Sequence, residues 1–250
     1  MLIFSPRGAK EACGMFTLPH IIAFVICIVL IILGIYFTKK IKKEEVFKII
    51  KIVAIVVIIL EIIKIGYNFY YDYTYLDSWF PLAYCSLFIY STTMAGFGKG
   101  LIRKIGVSFL VGGGIIAGMV FLILPTTSLM MHPIYHYLSI HSMLFHSLMV
   151  YVGILCYIHE LIEFNKKDYL YYVIFCMIFI VLALIINSIF DCNMMFLKEP
   201  FNIPISLLHK ICDNYPLLYK IIVILAFLVI PFGATSLIHQ LIKKGREKRC

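Results

Sequence analysis

The sequence predicts an all-α polytopic membrane protein, a bundle of seven transmembrane helices in a single domain that covers residues 1–250. Composition and hydropathy are the observations that predict this fold class. Hydrophobic residues make up 62% of the chain, the mean hydropathy is +0.99, and only 14% of residues are charged. A soluble domain of this size has too little interior for so much apolar surface, so much of that surface must face lipid.

Seven apolar runs are long enough to cross a hydrocarbon core, which takes roughly 20 helical residues. We predict helices near residues 19–38, 46–66, 80–97, 105–124, 135–158, 170–190 and 216–240. In the fourth run, five small residues allow close helix packing: Gly106, Gly112, Gly113, Gly114 and Gly118. In the seventh run, Pro231 predicts a kink.

Basic residues alternate between the connections and predict the orientation of the helices. Lysines and arginines follow the first, third, fifth and seventh runs, whereas the connections 67–79 and 125–134 contain none. The last basic group is the tail, with Lys243, Lys244, Arg246, Lys248 and Arg249. By the positive-inside rule the N-terminus is outside and the C-terminus is cytoplasmic, in a multi-pass protein of the cell membrane.

The net charge of +9 indicates lipid contacts and not nucleic acid. The basic residues lie between apolar runs and do not form one patch with interleaved aromatic residues. They are typical of topology signals and of contacts with anionic lipid.

The fifth run is the candidate for function, because its histidines are costly inside a membrane and should face a protein interior or a polar cavity. Helical spacing places one polar or small stripe on it: Tyr135, Ser139, Ser142, His146 and Gly153. His141 points about 140° away from His146. The stripe therefore favours His146 as the histidine that faces the interior.

A cysteine beside a histidine can perform acyl transfer, since the imidazole takes the thiol proton and the thiolate attacks a carbonyl carbon. Cys85 lies about 8 Å deep in the third run, His141 about 9 Å and His146 about 16 Å in the fifth. Depth alone favours His141, and we weight the stripe above the depth. The spacing also fits a buried, inert thiol at Cys85.

Glu61, Asn187 and Asn193 also fall in the outer half of the predicted bundle. Glu61 and Lys64 lie one helical turn apart. They could be part of a functional site or could form a structural ion pair. Asn187 and Asn193 could donate hydrogen bonds to an oxyanion or serve as cap and turn residues. The eight cysteines show no metal-binding spacing, so we expect no metal site and no cofactor. The spacing leaves open whether Cys192 and Cys212 form a disulfide.

Three motifs resemble the YwaF family of integral membrane proteins, which includes transmembrane protein 164. They are Phe80-Pro81-Leu82-Ala83-Tyr84-Cys85-Ser86-Leu87, then His136 and His146 in one apolar helix, then Asn187 followed by Asn193-Met194-Met195-Phe196-Leu197. The resemblance covers most of the chain in order and span number.

The resemblance implies a membrane acyltransferase that moves fatty acyl chains between phospholipid and lysophospholipid, its membrane-lipid partners. It implies Cys85 as the nucleophile and His146 as the general base, with supporting roles for Asn187, Asn193, Glu61, His141 and His136. Two other functions remain open from the residues. The chain could be a transporter or sensor for protons or a small polar ligand, or a lipid hydrolase that uses the same cysteine and histidine.

Overall fold

The computed structural model describes residues 3–201, 203 and 205–247, so Lys248 and Arg249 of the basic tail lie outside the described residues. Over these residues the chain is helical and has no β-strand. In chain order the α-helices are α1 (Leu18–Thr38), α2 (Lys43–Tyr70), α3 (Leu76–Trp79), α4 (Leu87–Phe97), α5 (Gly100–Phe109), α6 (Ile115–Ile123), α7 (Tyr137–Ile158), α8 (Lys166–Phe190), α9 (Ser206–Asn214) and α10 (Pro216–Glu247).

Five helical segments in the described part of the chain are long and apolar enough to cross a membrane: Leu18–Thr38, Gly100–Met130, Tyr137–Ile158, Lys166–Phe190 and Pro216–Glu247. The second of these joins α5 and α6 through a π-helical turn at Leu110–Gly114. Helix α2 has 28 residues and therefore the length of a span, but Glu61 and Lys64 interrupt its apolar stretch. The structure thus confirms an all-helical protein with several apolar helices.

The third predicted helix, near 80–97, is wrong over its first seven residues, since α4 begins only at Leu87. Proline disfavours helical backbone in the residue before it, and Phe80 is extended, with φ −76° and ψ 124°. The carbonyl of Pro81 accepts a hydrogen bond from the Tyr90 hydroxyl at 3.1 Å instead of a helical N–H. The 11 residues of α4 extend about 16 Å, which is about half of a hydrocarbon core.

Other helix ends differ from the predicted ends by a few residues. Helix α7 begins at Tyr137 because the His136 side chain caps it, accepting a bond from the Leu138 N–H at 3.1 Å. Tyr135 therefore precedes the helix and is exposed, so it is not part of the predicted stripe.

Helix α7 lies at the centre of the bundle. Helices α1, α2 and α6 pack against it, as does the π-helical turn. Helices α4 and α2 pack together, and α8 packs against α5 and α10. Buried apolar residues from α2, α4, α5 and α7 pack together in one continuous cluster.

The glycines of the fourth predicted run allow helices to pack closely, as the sequence predicts. A Cβ atom at Gly118 would lie 2.6 Å from a methyl carbon of Val150 and 2.9 Å from the carbonyl oxygen of His146. A Cβ atom at Gly112 would lie 2.4 Å from the ring of Phe232. Both positions therefore need glycine for helix packing.

Pro231 leaves one backbone carbonyl of α10 without a helical donor, because proline has no N–H to bond the carbonyl four residues earlier. That carbonyl belongs to Phe227, and the Tyr172 hydroxyl of α8 donates to it. The proton of Tyr172 is then engaged, so the Tyr84 hydroxyl donates to the Tyr172 oxygen, 2.6 Å away. This chain of hydrogen bonds connects α10 and α8 to the residue that precedes Cys85.

We predict that Tyr172→Phe destabilises the protein by about 1–3 kcal/mol, because it leaves a buried carbonyl unsatisfied. Adding Pro231→Ala should recover part of the loss, because the new N–H can bond the Phe227 carbonyl. Chemical unfolding in detergent micelles measures both effects.

Tyr169→Phe is the matched control, because it removes a hydroxyl from the same helix without breaking this chain. Equal destabilisation by Tyr172→Phe with and without Pro231→Ala would contradict the prediction.

Candidate functional site

Cys85 lies in a tight turn that leads into α4. The turn is closed by i to i−3 backbone bonds, in which Leu87 donates to Tyr84, Phe88 to Cys85 and Ile89 to Ser86, at 3.0–3.3 Å. Cys85 is a free thiol and is partly exposed, and it packs against the apolar cluster of α2, α4 and α7. By contrast, the cysteines inside α1, α7 and α8, which are Cys27, Cys156 and Cys176, are buried.

The packing of α4 on α2 gives the depth of Cys85 in the bundle. Gly96 of α4 lies against Lys51 of α2, since a Cβ atom at Gly96 would be 3.1 Å from the Cα of Lys51. The two helices are consecutive long helices and run antiparallel, so Leu87 lies about 14 Å from Gly96, and Glu61 lies about 15 Å from Lys51 in the same direction. Cys85 is two residues before Leu87, in the turn that leads into α4. Cys85 is therefore near the level of Glu61.

His141 faces Glu61 across the contact between α7 and α2. Its Nε2 lies 3.5 Å from Glu61 Oε2, and the other carboxylate oxygen of Glu61 accepts a bond from Lys64 Nζ at 2.7 Å. Glu61 and His141 are both buried. The Tyr137 hydroxyl donates to the Leu60 carbonyl at 2.7 Å, one turn from this pair. The structure thus brings together Glu61, Lys64 and His141 among the predicted polar residues.

His146 faces α6 and not α2. Its ring stacks on Phe121 with centroids 3.6 Å apart, and its Nδ1 lies 2.7 Å from the Ser142 carbonyl oxygen. Its Nε2 is buried and lacks a hydrogen-bond partner within the described residues. On the same face, a Cβ atom at Gly153 would lie 2.5 Å from Ile115 of α6. The predicted stripe therefore exists on α7 from Ser139 onward, but its His146 and Gly153 pack against the α5–α6 segment.

Phe145 lies between the two histidines and next to α4. Its ring centroid is 5.7 Å from that of His141 and 5.5 Å from that of His146. It also contacts Phe88, whose N–H bonds to the Cys85 carbonyl, with ring centroids 5.4 Å apart. Both histidines therefore border one aromatic pair, with His141 on the α2 side, and Cys85 packs against the apolar cluster that contains this pair.

Asn187 and Asn193 organise the connection after α8. The Asn187 amide bonds both backbone groups of Met194, donating to its carbonyl at 3.1 Å and accepting from its N–H at 2.7 Å. The Asn193 carboxamide accepts from the N–H groups of Lys198 and Glu199. These contacts match the cap and turn alternative, because the amides are used within the connection. Cys192 and Cys212 are free thiols.

His136 holds the N-terminal segment, residues 3–16, against the bundle. Its Nδ1 accepts from Leu138, so its Nε2 carries the proton and donates to the Ser5 carbonyl at 2.9 Å. The Tyr67 hydroxyl donates to the same carbonyl at 2.9 Å. The His136 ring stacks on His132 with centroids 4.0 Å apart.

Sequence reasoning missed the N-terminal segment as part of this region. It covers the end of the bundle where α2 ends and α7 begins. Two backbone hydrogen bonds hold it there: the Tyr137 N–H donates to the Ile3 carbonyl at 2.9 Å, and the Cys13 N–H donates to the His132 carbonyl at 3.0 Å. The available signal was the tyrosine-rich stretch 67–75, whose hydroxyl groups need partners when they are buried.

Two cavities lie away from Cys85. One of about 650 Å³ is bordered by Phe4 and the tyrosines at the end of α2, and one of about 340 Å³ lies between α8 and α10. Among the described residues, neither is lined by Cys85, His141 or His146. Within the same residues, no three His, Cys, Asp or Glu side chains are grouped to hold a metal ion.

These features define a class of protein: a polytopic α-helical membrane protein with a partly exposed cysteine near the level of a buried histidine–carboxylate pair. The chain belongs to the TMEM164 family, whose model matches residues 15–232. The match confirms the resemblance that the motifs indicate. Comparison with curated proteins and with solved structures finds no match.

The stacked histidines predict that acid loosens the N-terminal segment. Burial, with the charges of His136 and Arg7, lowers the pKa of His132 from 6.5 to about 4, and burial also lowers the pKa of His136. The released state binds more protons below pH 6.5, so stability is present above that pH and is lost as pH falls toward 4.

Between pH 7 and pH 5 we expect the segment to lose about 1–2 kcal/mol of docking stability. Hydrogen exchange at residues 3–16 should accelerate accordingly. His132→Phe keeps the ring and removes the titration, so it should reduce the pH dependence. Equal pH dependence in this variant would contradict the assignment.

Proposed function

We propose that the protein is an acyltransferase of the cell membrane that moves a fatty acyl chain from a phospholipid to a lysophospholipid through a thioester on Cys85. A single observation carries the proposal: Cys85 is partly exposed, and the packing of α4 on α2 puts it near the level of the buried His141–Glu61 pair. Nucleophilic cysteines need access for the substrate and a base that removes the thiol proton.

The reaction uses two lipids in turn. An imidazole takes the thiol proton, and the thiolate attacks the ester carbonyl of the donor phospholipid. The tetrahedral intermediate expels the lysophospholipid alkoxide, which takes the proton from the imidazolium, and the acyl thioester remains. The hydroxyl of a second lysophospholipid then attacks the thioester, with the imidazole accepting its proton, and the thiol is regenerated.

Two histidines of α7 are candidates for the base. Sequence spacing favours His146, but His146 faces Phe121 of α6. The Nε2 atoms of both histidines lack a hydrogen-bond partner within the described residues, so this property does not distinguish them. The packing supports His141, because Glu61 can hold its ring and stabilise the imidazolium once it forms. Along α7, His141 lies one turn before Phe145, on the side nearer the level of Cys85. His146 lies one residue after Phe145 and is therefore further from that level. We therefore assign the base to His141.

The amides of Asn187 and Asn193 have an indirect role in this proposal. They hold the connection after α8, and Asn193 N–H lies 3.4 Å from an Asp77 carboxylate oxygen. Asp77 precedes the stretch 80–86, so these contacts support the segment that carries Cys85. His136 acts similarly from the N-terminal side, since it caps the helix that carries both candidate bases.

The proposal includes seven membrane crossings, with the N-terminus outside and the C-terminus in the cytoplasm. The five apolar segments supply five crossings. The other two crossings are the second and the third in chain order. Helix α2 supplies the second, and the stretch 80–86 together with α4 supplies the third. The alternation of lysine-rich connections with connections that hold few or no lysines supports this orientation.

A proton-relay or sensor function is the second candidate. The specific observation in its favour is the buried cluster of Glu61, Lys64 and His141, since ionisable groups inside membranes often belong to proton or ligand pathways. A hydrolase would use the same thiol with water as the acceptor, and it would release free fatty acid.

Acyl transfer between labelled phospholipid and lysophospholipid, with purified protein in nanodiscs, tests the proposal. We expect product from the wild type and none from Cys85→Ala. Cys156→Ala is the matched control, because that thiol is buried in α7, and it should keep its activity.

We expect His141→Ala to lower the transfer rate by about 10²–10⁴-fold, as for loss of a general base. Glu61→Gln should cause a smaller loss. A larger loss in His146→Ala than in His141→Ala would assign the base to His146. Full transfer by Cys85→Ala would refute the thioester mechanism, and labelled fatty acid without transfer product would indicate the hydrolase.

A further inference from the structure

Three polar residues of α2 form a column that rises from the level of Cys85 toward the N-terminal segment. Glu61, Lys64 and Asn68 are spaced i, i+3 and i+7, so they lie within about 60° of one another around the helix. Glu61 and Asn68 are buried, and the Lys64 side chain is 23% exposed. The Asn68 amide donates to the Lys64 carbonyl at 2.9 Å.

Arg7 of the N-terminal segment extends this column. Its Nη2 donates to the Asn68 side-chain oxygen at 3.1 Å, and its guanidinium lies 4.3 Å from the centre of the Tyr73 ring. Its backbone N–H donates to the Tyr73 hydroxyl at 2.9 Å. These contacts hold the arginine in one place although the residue itself is exposed.

The column has an excess of positive charge. Glu61 carries one negative charge, whereas Lys64 and Arg7 carry two positive charges, and the Glu61 carboxylate is shared between Lys64 and His141. Within the described residues, Arg7 forms no ion pair with a carboxylate. A fixed guanidinium without a carboxylate partner is suited to bind an anion, and its planar fork matches phosphate geometry.

The spacing of the column suits a lipid ligand. Lys64 is about 4.5 Å and Asn68 about 10 Å above Glu61 along the helix, and Cys85 lies near the level of Glu61. In a phospholipid the glycerol joins the ester carbonyl to the phosphate, and the phosphate lies on the water side of the ester. With the carbonyl at Cys85, the phosphate would lie between the level of the Lys64 ammonium, which contacts Glu61, and the level of Arg7, which contacts Asn68.

We propose that Arg7 and Lys64 form the site that binds the phosphate of the lipid substrate, with Asn68 and Tyr73 holding Arg7 in position. This inference rests on the proposed function, and it names the part of the substrate that the protein recognises. It also gives the N-terminal segment a direct role, because one of the two cations comes from it.

Equilibrium binding to the Cys85→Ala protein in detergent micelles tests the site without requiring turnover. The probes are a fluorescent lysophosphatidylethanolamine and a monoacylglycerol with the same labelled chain and no phosphate. We expect Arg7→Gln and Lys64→Gln each to weaken binding of the lysophospholipid about tenfold, which corresponds to about 1.4 kcal/mol. Binding of the monoacylglycerol should not change.

Lys10→Gln is the matched control, because it removes one positive charge from the same segment, and both lipids should bind it as they bind the parent. Arg7→Lys should keep part of the affinity, since it retains the charge. Equal weakening of both lipids by Arg7→Gln would show that Arg7 only stabilises the fold, and unchanged binding would also overturn the proposal.

Inorganic phosphate distinguishes a lipid site from a general anion site. We expect it to displace the lysophospholipid only at a large molar excess, because it lacks the acyl chain. Displacement at a concentration near that of the lipid would overturn the assignment to a lipid. Because these measurements need no catalysis, they can fail while acyl transfer succeeds, or succeed while acyl transfer fails.

Discussion

The contact between Glu61 and its two partners is the constraint on which the arrangement of this bundle depends. A carboxylate buried among apolar helices is costly unless cations or hydrogen-bond donors surround it. Lys64 satisfies one oxygen from the same helix, and His141 approaches the other from α7. Because the α7 partner must lie opposite Glu61, this contact fixes how far α7 is shifted along α2, and it determines which residues of α7 are near Cys85.

Much of the fold could be predicted from the sequence because long apolar runs have few alternatives in a membrane. The failure at residues 80–86 has a local cause, since hydropathy does not distinguish an apolar extended stretch from an apolar helix, and a proline in the first turn is compatible with either. The N-terminal segment could not be predicted, because it has no periodicity and is held by backbone and tyrosine hydroxyl bonds that depend on the tertiary structure.

The candidate site could be predicted from the sequence only in part. Spacing correctly separated His141 from His146 on opposite sides of α7, but it could not tell which side faces α2. Polar and small residues marked the face that packs against α6, where Gly118 and Gly153 bring the helices together. The side with the carboxylate partner carries apolar residues such as Phe145 around its histidine, so the stripe gave no signal there. For Asn187 and Asn193, sequence left two alternatives, and their hydrogen bonds correspond to the cap and turn alternative.

The extended stretch before α4 has a consequence for the lifetime of an acyl intermediate. Non-helical backbone at membrane depth is tolerated where protein or water surrounds its polar groups. In the proposed mechanism, any water that reached residues 80–86 would also reach a thioester on Cys85, so the acceptor lipid and water would compete for the same acyl group. The ratio of acyl transfer to thioester hydrolysis would then depend on how long an acceptor lipid occupies the site relative to the lifetime of the acyl intermediate. The difference between a transferase and a hydrolase would be a difference of rates within one fold.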